Sequence, residues 1–290
     1  MPSKTTAAPH SRRRQPHTVS VLERGLAVLG CIEASSGPLG NGDIARLTRI
    51  PKPTVTRLVA TLVARGFLRL VPGSEKYTLG ARVITLAQAF LAGLDVRSQA
   101  RPHMMELAER GGGWSYLGAR NGVDMVLIET CRSRSGVLLS RLDIGSRVPL
   151  VNSALGRAYL SALPARERSG MVRQIQSAHP EQWPRLHASL QRALKEAALR
   201  GFCLSAGEWH RDVNSIAVPL RIPGGELMAL NFGGPAFAFP ADRLRREIGP
   251  RILETVQRIE RDIGSQAADS PAPERATRLT RAAKGGEALE

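Results

Sequence analysis

Apolar residues recur at helical spacing three times in the first third of the chain. Leu22, Leu26, Leu29 and Ile32 share one face of a predicted helix. It opens at Ser20, with Glu23 three residues on to complete a capping box, and closes near Ser35-Ser36-Gly37-Pro38. A second helix is predicted from Asn41, with Asp43 in its first turn and Ile44, Ala45 and Leu47 on its inner side. Thr48-Arg49-Ile50-Pro51 reads as a short turn. The third helix opens at Lys52-Pro53, where a proline loses no intrahelical bond, and carries Val55, Leu58, Val59 and Leu62 as an apolar stripe. Arg57 centres the opposite face, flanked by Thr54, Thr56 and Thr61, and Gly66 takes the position just past the helix end.

The period then changes. Phe67–Val71 and Lys76–Leu79 are β-rich runs around Pro72-Gly73-Ser74-Glu75, which predicts a hairpin. Helix, short helix, turn, helix and hairpin is the order of a winged helix-turn-helix, whose third helix enters the major groove while the hairpin lies on the backbone. In that frame Arg57 either reads a guanine edge bidentately or clamps a phosphate. Thr54 and Thr56, near the helix N-terminus, can donate to phosphate, and Arg49, Lys52 and Lys76 are candidate backbone contacts. The spacing alone also fits a small helical packing module with a solvated basic face.

Beyond residue 80 the apolar face Val83, Leu86, Ala87, Phe90 and Leu91 predicts a helix with more hydrophobic surface than a lone linker needs. Strands are predicted at Trp114–Ala119, Asp124–Thr130 and Val137–Leu142, and helices at Ser153–Ala162, Ala165–Ser177 and Gln182–Arg200. Two further strands, Asn214–Leu220 and Leu227–Phe232, precede a long amphipathic helix from Pro240 to Ile263. The class is α+β in two domains, the second with helices layered on an antiparallel sheet. The boundaries this implies are a basic tail expected to be disordered over 1–17, a winged domain over 18–80, a linker helix over 81–100, a second domain over 101–263 and a second tail expected to be disordered over 264–290.

Charge changes this picture more than composition does. The 290 residues carry 41 basic and 25 acidic side chains, a formal net charge of +16, against an ordinary 42% hydrophobic content. That balance points to a polyanionic partner. Three dispersed cysteines (Cys31, Cys131, Cys203) with no C-x-x-C read as reduced thiols, and no histidine pair has zincin spacing. Phosphate-loop and dinucleotide glycine motifs are absent, so neither a metal nor a cofactor is expected. The longest apolar run, Val83–Leu94, falls short of the ~20 residues of a membrane span. Arg12-Arg13-Arg14 is not followed by the hydrophobic region of an export signal, because Glu23 and Arg24 interrupt it. A cytoplasmic protein is expected.

In the second domain, Val151-Asn-Ser-Ala-Leu-Gly-Arg-Ala158 starts a helix whose free amides suit an anion, although Ser153 can equally be a plain N-cap. Ser215 and Ala217 share one strand face, as do Ala229 and Asn231, leaving room for a ligand with a few hydrogen bonds. His210 and Asp212 resemble two thirds of a hydrolytic triad, but no G-x-S-x-G elbow accompanies them. Arg134, Arg141, Arg147 and Arg211 are candidate carboxylate partners, and Trp114, Met125, Val126 and Leu138 candidate apolar lining.

Three stretches carry a family resemblance: Val19–Leu29, Pro51-Lys-Pro-Thr-Val-Thr-Arg-Leu58 with Thr61, Leu62 and Gly66, and Tyr77-Thr-Leu-Gly80. They are similar to the IclR family of bacterial transcriptional regulators, and the likeness runs over about residues 18–263. The resemblance implies a winged helix-turn-helix, a linker helix that helps dimerise, and an effector domain similar to GAF and PAS folds. It implies homodimers or dimers of dimers on double-stranded operator DNA. The implied effector is a small organic acid, often aromatic, held at Ser153, Gly156, Asp212, Ser215, Asn231 and Gly233. Relatives often carry cysteine where Ser215 stands and serine in place of Asn231 and Gly233, so no particular effector follows. Two other classes fit parts of the pattern: a hydrolase domain fused to a nucleic-acid-binding module, and a nonspecific coating protein that uses the arginine-rich tail.

Overall fold

The structure, a computed structural model, describes residues 19–134, 142–224 and 226–269. They divide into two compact units between Gly93 and Leu94. The first contains α1 (Ser20–Glu33), β1 (Leu39–Gly40), α2 (Asn41–Thr48), α3 (Lys52–Ala64), β2 (Leu68–Leu70), β3 (Lys76–Leu79) and α4 (Arg82–Ala92). Val28, Ile32, Ile44, Ile50, Val55, Val59 and Leu68 form its core, with Leu29, Leu58, Leu62 and Leu79 packed against it.

Helix α1 departs from its pattern in two ways. The Val19 carbonyl already accepts from the Leu22 and Glu23 amides, so Ser20 lies inside the helix and caps nothing. Of the expected inner face, Leu22 and Leu26 are 61% and 59% exposed, because the short α2 and α3 reach only its C-terminal half. The Asp43 carboxylate instead closes the start of α2, accepting the Gly40 amide at 3.3 Å. Leu47, expected to face inward, is exposed.

The end of α3 is a Schellman turn. Gly66 stands at φ 76°, its amide bonds the Val63 carbonyl, and the Phe67 amide reaches Leu62. This turn aims the chain into β2, which pairs antiparallel with β3 (Leu68 opposite Leu79, Leu70 opposite Tyr77). Strand β1 adds to the far side of β3, making a three-stranded wing in the order β1-β3-β2.

The linker expected as one helix over 81–100 is two. Helix α4 stops at Gly93, and Leu94 adopts φ −103°, ψ 83° before α5 (Asp95–Gly111) restarts. The second unit continues with β4 (Trp114–Asn121), β5 (Asp124–Arg132), β6 (Arg147–Pro149), α6 (Ala154–Ala162), α7 (Ala165–Ala178), α8 (Trp183–Arg200), β7 (Cys203–Ala206), β8 (Val213–Arg221) and β9 (Leu227–Pro235). Most of the strand expected over Val137–Leu142 lies outside the described residues, and the sheet's edge strand on that side is β6. Strand β7, four residues between Gly201 and Gly207, was too short for its period to register.

All six strands form one antiparallel sheet in the order β6-β5-β4-β9-β8-β7. Helices cover both faces, α5 and α10 (Gly249–Asp269) on one and α6 on the other. A register shift between Leu117 and Gly118 lets β5 present Met125 and Leu127 to the α6 face and Glu129 to α5. The final helix is broken into α9 (Ala241–Arg243), a π-helical turn (Leu244–Ile248) and α10. Pro250 has no amide for the Arg246 carbonyl, and the wide turn lies just before it. Helix α10 runs to Asp269, past the 264 boundary, because Gln266-Ala-Ala continues to favour a helix.

Candidate DNA-reading face and ligand cavity

In the first unit, α3 buries Val55 and Val59 and turns Arg57, Thr56 and Thr61 to solvent, while Thr54 is half-buried. Lys52 is exposed at its first position, Arg49 at the turn before it, and Lys76 at the start of β3. Arg49 is the one described non-glycine residue with a positive φ, 57°, which tightens the turn between α2 and α3. Five of these side chains are therefore threonine or arginine on or beside a single helix, with no carboxylate within α3.

The hydroxyls are not all available as donors. Thr56 donates to the Lys52 carbonyl at 3.0 Å and Thr61 to the Arg57 carbonyl at 2.9 Å. The expected phosphate donation from Thr56 thus competes with a bond inside the helix. Thr56 also accepts from the Asn41 amide at 3.4 Å, a contact from the first turn of α2 that no local spacing announces.

In the second unit a cavity of about 360 Å³ opens on the α6 face of the sheet. Trp114 and Tyr116 of β4, Leu127, Leu142 and Val148 supply one wall; Ser215, Asn231, Gly233 and Gly234 supply the sheet floor. Ser153 and Leu155 enter from the start of α6, and Trp209, His210 and Val213 from the β7–β8 connection. The volume suits a small molecule, and the rings and aliphatic groups outweigh the polar ones.

Four of the six expected effector residues meet here: Ser153, Ser215, Asn231 and Gly233. Gly156 does not, because a side chain on it would overlap the Leu150 backbone; its place is a close crossing of α6 over the preceding chain. Asp212 points away, its carboxylate 88% exposed. Ser153 is the N-cap of α6, accepting the Gly156 amide at 3.0 Å and donating to Pro149 at 2.6 Å. A side chain at position 233 would come 2.7 Å from Ser215 Cβ, so glycine there keeps β8 and β9 in register.

Asn231, 7% exposed, and the half-buried Ser215 present polar side chains to the cavity, and neither forms a side-chain hydrogen bond among the described residues. Polar groups that open on a cavity in this way can be satisfied by a ligand or by water. Trp114 lines the cavity as expected, while Met125 is wholly buried in the core behind it and Val126 is half-buried outside it. Leu138 and Arg141 lie outside the described residues. Arg147 pairs with Asp124 at 2.6 Å, and Arg134 and Arg211 do not line the cavity, so no arginine or lysine does among the described residues.

Among the described residues no hydrolytic constellation forms. His210 and Asp212 are 3.9 Å apart at the exposed rim, and neither Ser153 nor Ser215 bonds to His210. Burial pushes the thiols of Cys131 and Cys203 up to about 11 and about 12, which leaves them as inert core groups. No helix among the described residues is long and apolar enough to cross a membrane.

Residues 21–72 match the IclR helix-turn-helix domain and residues 88–263 the bacterial transcriptional regulator IclR C-terminal domain. The chain is 34% identical over 248 residues to the HTH-type transcriptional regulator TsaQ1/TsaQ2 of Comamonas testosteroni, covering 84% of this chain and 88% of that protein. The crystal structure of an IclR family transcriptional regulator from Brucella abortus is 39% identical and superposes with a TM-score of 0.80, over 87% of this chain and 95% of that one. An IclR homologue from Microbacterium hydrocarbonoxydans, crystallised with 4-hydroxybenzoate, shares the fold at 22% identity and a TM-score of 0.65, over 84% and 99% of the two chains. The Comamonas and Brucella relatives are named transcriptional regulators, which favours the regulator over the fused-hydrolase alternative. The winged unit with its outward Arg57 and the sheet unit with its cavity are the two halves of one known architecture: the chain belongs to the IclR family of bacterial transcriptional regulators.

Proposed function

We propose that this regulator binds double-stranded operator DNA through α3 and the wing, and that a small organic acid in the cavity modulates that binding. The single observation that carries the effector reading is the ring-lined cavity itself, on whose wall Asn231 presents an amide that forms no side-chain hydrogen bond among the described residues. With no arginine or lysine in the described lining, an acid's carboxylate is received by the α6 N-terminus. Ser153 takes the Gly156 amide, the amides of Ala154 and Leu155 ahead of it have no intrahelical partner, and the helix dipole favours an anion. Trp114, Tyr116 and Trp209 favour an aromatic or otherwise flat ligand, and 4-hydroxybenzoate in a structural relative is consistent with that.

Arg57, Arg49, Lys52, Thr54, Thr56, Thr61 and Lys76 are the proposed DNA contacts, Arg57 reading a base and the others setting position on the backbone. The protein acts in the cytoplasm as a homodimer or a dimer of dimers. Val19 just before α1, Val21, Leu22 and Leu26 on α1, and Ile84, Leu86 and Phe90 on α4 are all more than half exposed, which supports burial against a second copy.

The test is selection of binding sites from random duplexes, followed by titration of 4-hydroxybenzoate and other small acids into the selected complex. Release or tightening at a stoichiometry of one acid per chain is expected. Equal affinity for selected and random DNA with a steep salt slope would instead favour nonspecific coating.

A further inference from the structure

Arg157 is 1% exposed, yet it is an arginine in the second turn of a helix whose start lines the cavity. Its guanidinium donates to the Val151 carbonyl at 3.0 Å, to the Leu204 carbonyl of β7 at 3.1 Å and to the Ser189 hydroxyl of α8 at 2.7 Å. It also forms an ion pair with the Glu208 carboxylate, which is itself only 35% exposed. Ser189 donates to the same carboxylate at 2.9 Å, and the Asn152 amide donates to the Glu208 carbonyl at 3.3 Å. Ser205 completes the ring by donating to the Asn152 carbonyl at 2.8 Å.

Glu208 sits in the connection between β7 and β8, directly before Trp209 and His210, the two rings of the cavity rim. That connection is otherwise held by the Gly207 amide on the Val213 carbonyl at 3.3 Å, the Val213 amide on the His210 carbonyl at 3.0 Å, the Ala236 amide on the Asp212 carbonyl at 2.8 Å and the Asp212 amide on the His210 ring at 3.4 Å, none of which involves Glu208 or Trp209. Gly207 at φ 64° gives it a pivot that other residues rarely adopt. A buried charge is costly unless it is paired, so a cation placed here constrains where its anion can be.

We propose that Arg157 and Glu208 are positioning residues for the effector: the pair holds residues 207–212 against α6 and thereby sets Trp209 and His210 on the cavity. This rests on the reading of the cavity as the effector site. The same guanidinium grips Val151 ahead of α6, so one side chain registers both the amide end of the cavity and its aromatic rim. Neither residue needs to touch the ligand.

The test is hydrogen exchange by mass spectrometry on full-length Glu208→Gln and Ser189→Ala, with calorimetric binding of 4-hydroxybenzoate alongside. In Glu208→Gln, exchange over 207–213 is expected to rise tenfold or more in the ligand-free protein while α6 and α8 stay as in the parent. The acid's dissociation constant is expected to rise at least tenfold. Ser189→Ala, which keeps both charges and the fold, should move both readouts in the same direction by less. Unchanged exchange over 207–213 overturns the proposal, as does an increase shared equally by α6 and α8, or loosening with no loss of affinity. A parent protein that binds no 4-hydroxybenzoate counts against that effector, and the exchange contrast then decides the role of the pair by itself.

Discussion

A side chain on Gly80 would overlap the carbonyl of Gly66, which accepts the Arg82 amide at 3.2 Å. The end of the reading helix, the exit of the wing and the start of α4 thus meet at two glycines, one needed for its positive φ and the other for its missing Cβ. Gly80→Ala is expected to destabilise the winged unit by about 1–3 kcal/mol through overpacking against backbone that cannot yield. Thermal unfolding checks it, and a loss of operator affinity should accompany the loss of stability because the wing is hinged at this point.

Arg57→Ala separates base reading from phosphate clamping. If the guanidinium reads a guanine edge, the selected operator loses about 1–3 kcal/mol of binding while random duplex is unaffected. Anisotropy on both duplexes at one salt concentration decides it. An equal loss on both makes Arg57 a backbone contact. Protein stability should not change, since the side chain is exposed and its apolar neighbours Val55 and Val59 face the other way.

Local rules were legible in the chain and long-range ones were not. The stripe on α3, Gly66 beyond its end and Ser153 at the start of α6 each depend on residues within four positions, and each takes its expected place. Leu22 and Leu26 follow the same helical rule as Ile32, but which of them is buried depends on how far α2 and α3 extend, and that is not written in α1 itself. Gly156 read as part of an anion loop and proves to be a crossing point over Leu150. Trp209 and His210 reach the cavity only because β8 lies beside β9 and β9 beside β4, an order no spacing encodes. Nothing near Arg157 in the sequence sets it apart from the other cations of a basic chain. Its burial is visible only once α8 and β7 close over it.

Acid should expose the tie between α5 and α10. Glu106 accepts from Arg258 at 2.9 Å and from Arg110 at 3.0 Å, and these bonds hold its carboxyl below the usual carboxylate range. A carboxylate depressed in the folded state contributes stability above its unfolded pKa and loses it as pH falls through the folded value. Glu106→Gln is therefore expected to lower the melting temperature at pH 7, modestly because the pair is more than a third exposed. The difference between parent and variant should shrink as pH falls below the ordinary glutamate range and vanish once the carboxyl is protonated in the folded state as well. A gap that persists undiminished in acid would mean that shape and not charge makes the contact.

Asn231 offers the sharpest separation of folding from binding. Its amide faces the cavity and forms no side-chain hydrogen bond among the described residues, so Asn231→Leu removes no such bond from the sheet. Replacing a polar group that bonds no protein partner by an apolar one of similar size is close to neutral or stabilising. The melting temperature of the ligand-free variant should thus equal or exceed that of the parent. Affinity for the effector should fall by about 1 kcal/mol or more, roughly fivefold, as the hydrogen bond to the ligand is lost. Paired melting curves with and without 4-hydroxybenzoate measure both quantities at once, because a ligand at free concentration L that binds only the folded state stabilises it by RT ln(1 + L/Kd), a rise that grows with the logarithm of its affinity. A variant that melts lower in the absence of ligand would assign Asn231 to the architecture of β9 instead. A variant that keeps the full ligand-induced rise would move the polar recognition to Ser215 or to the amides of α6.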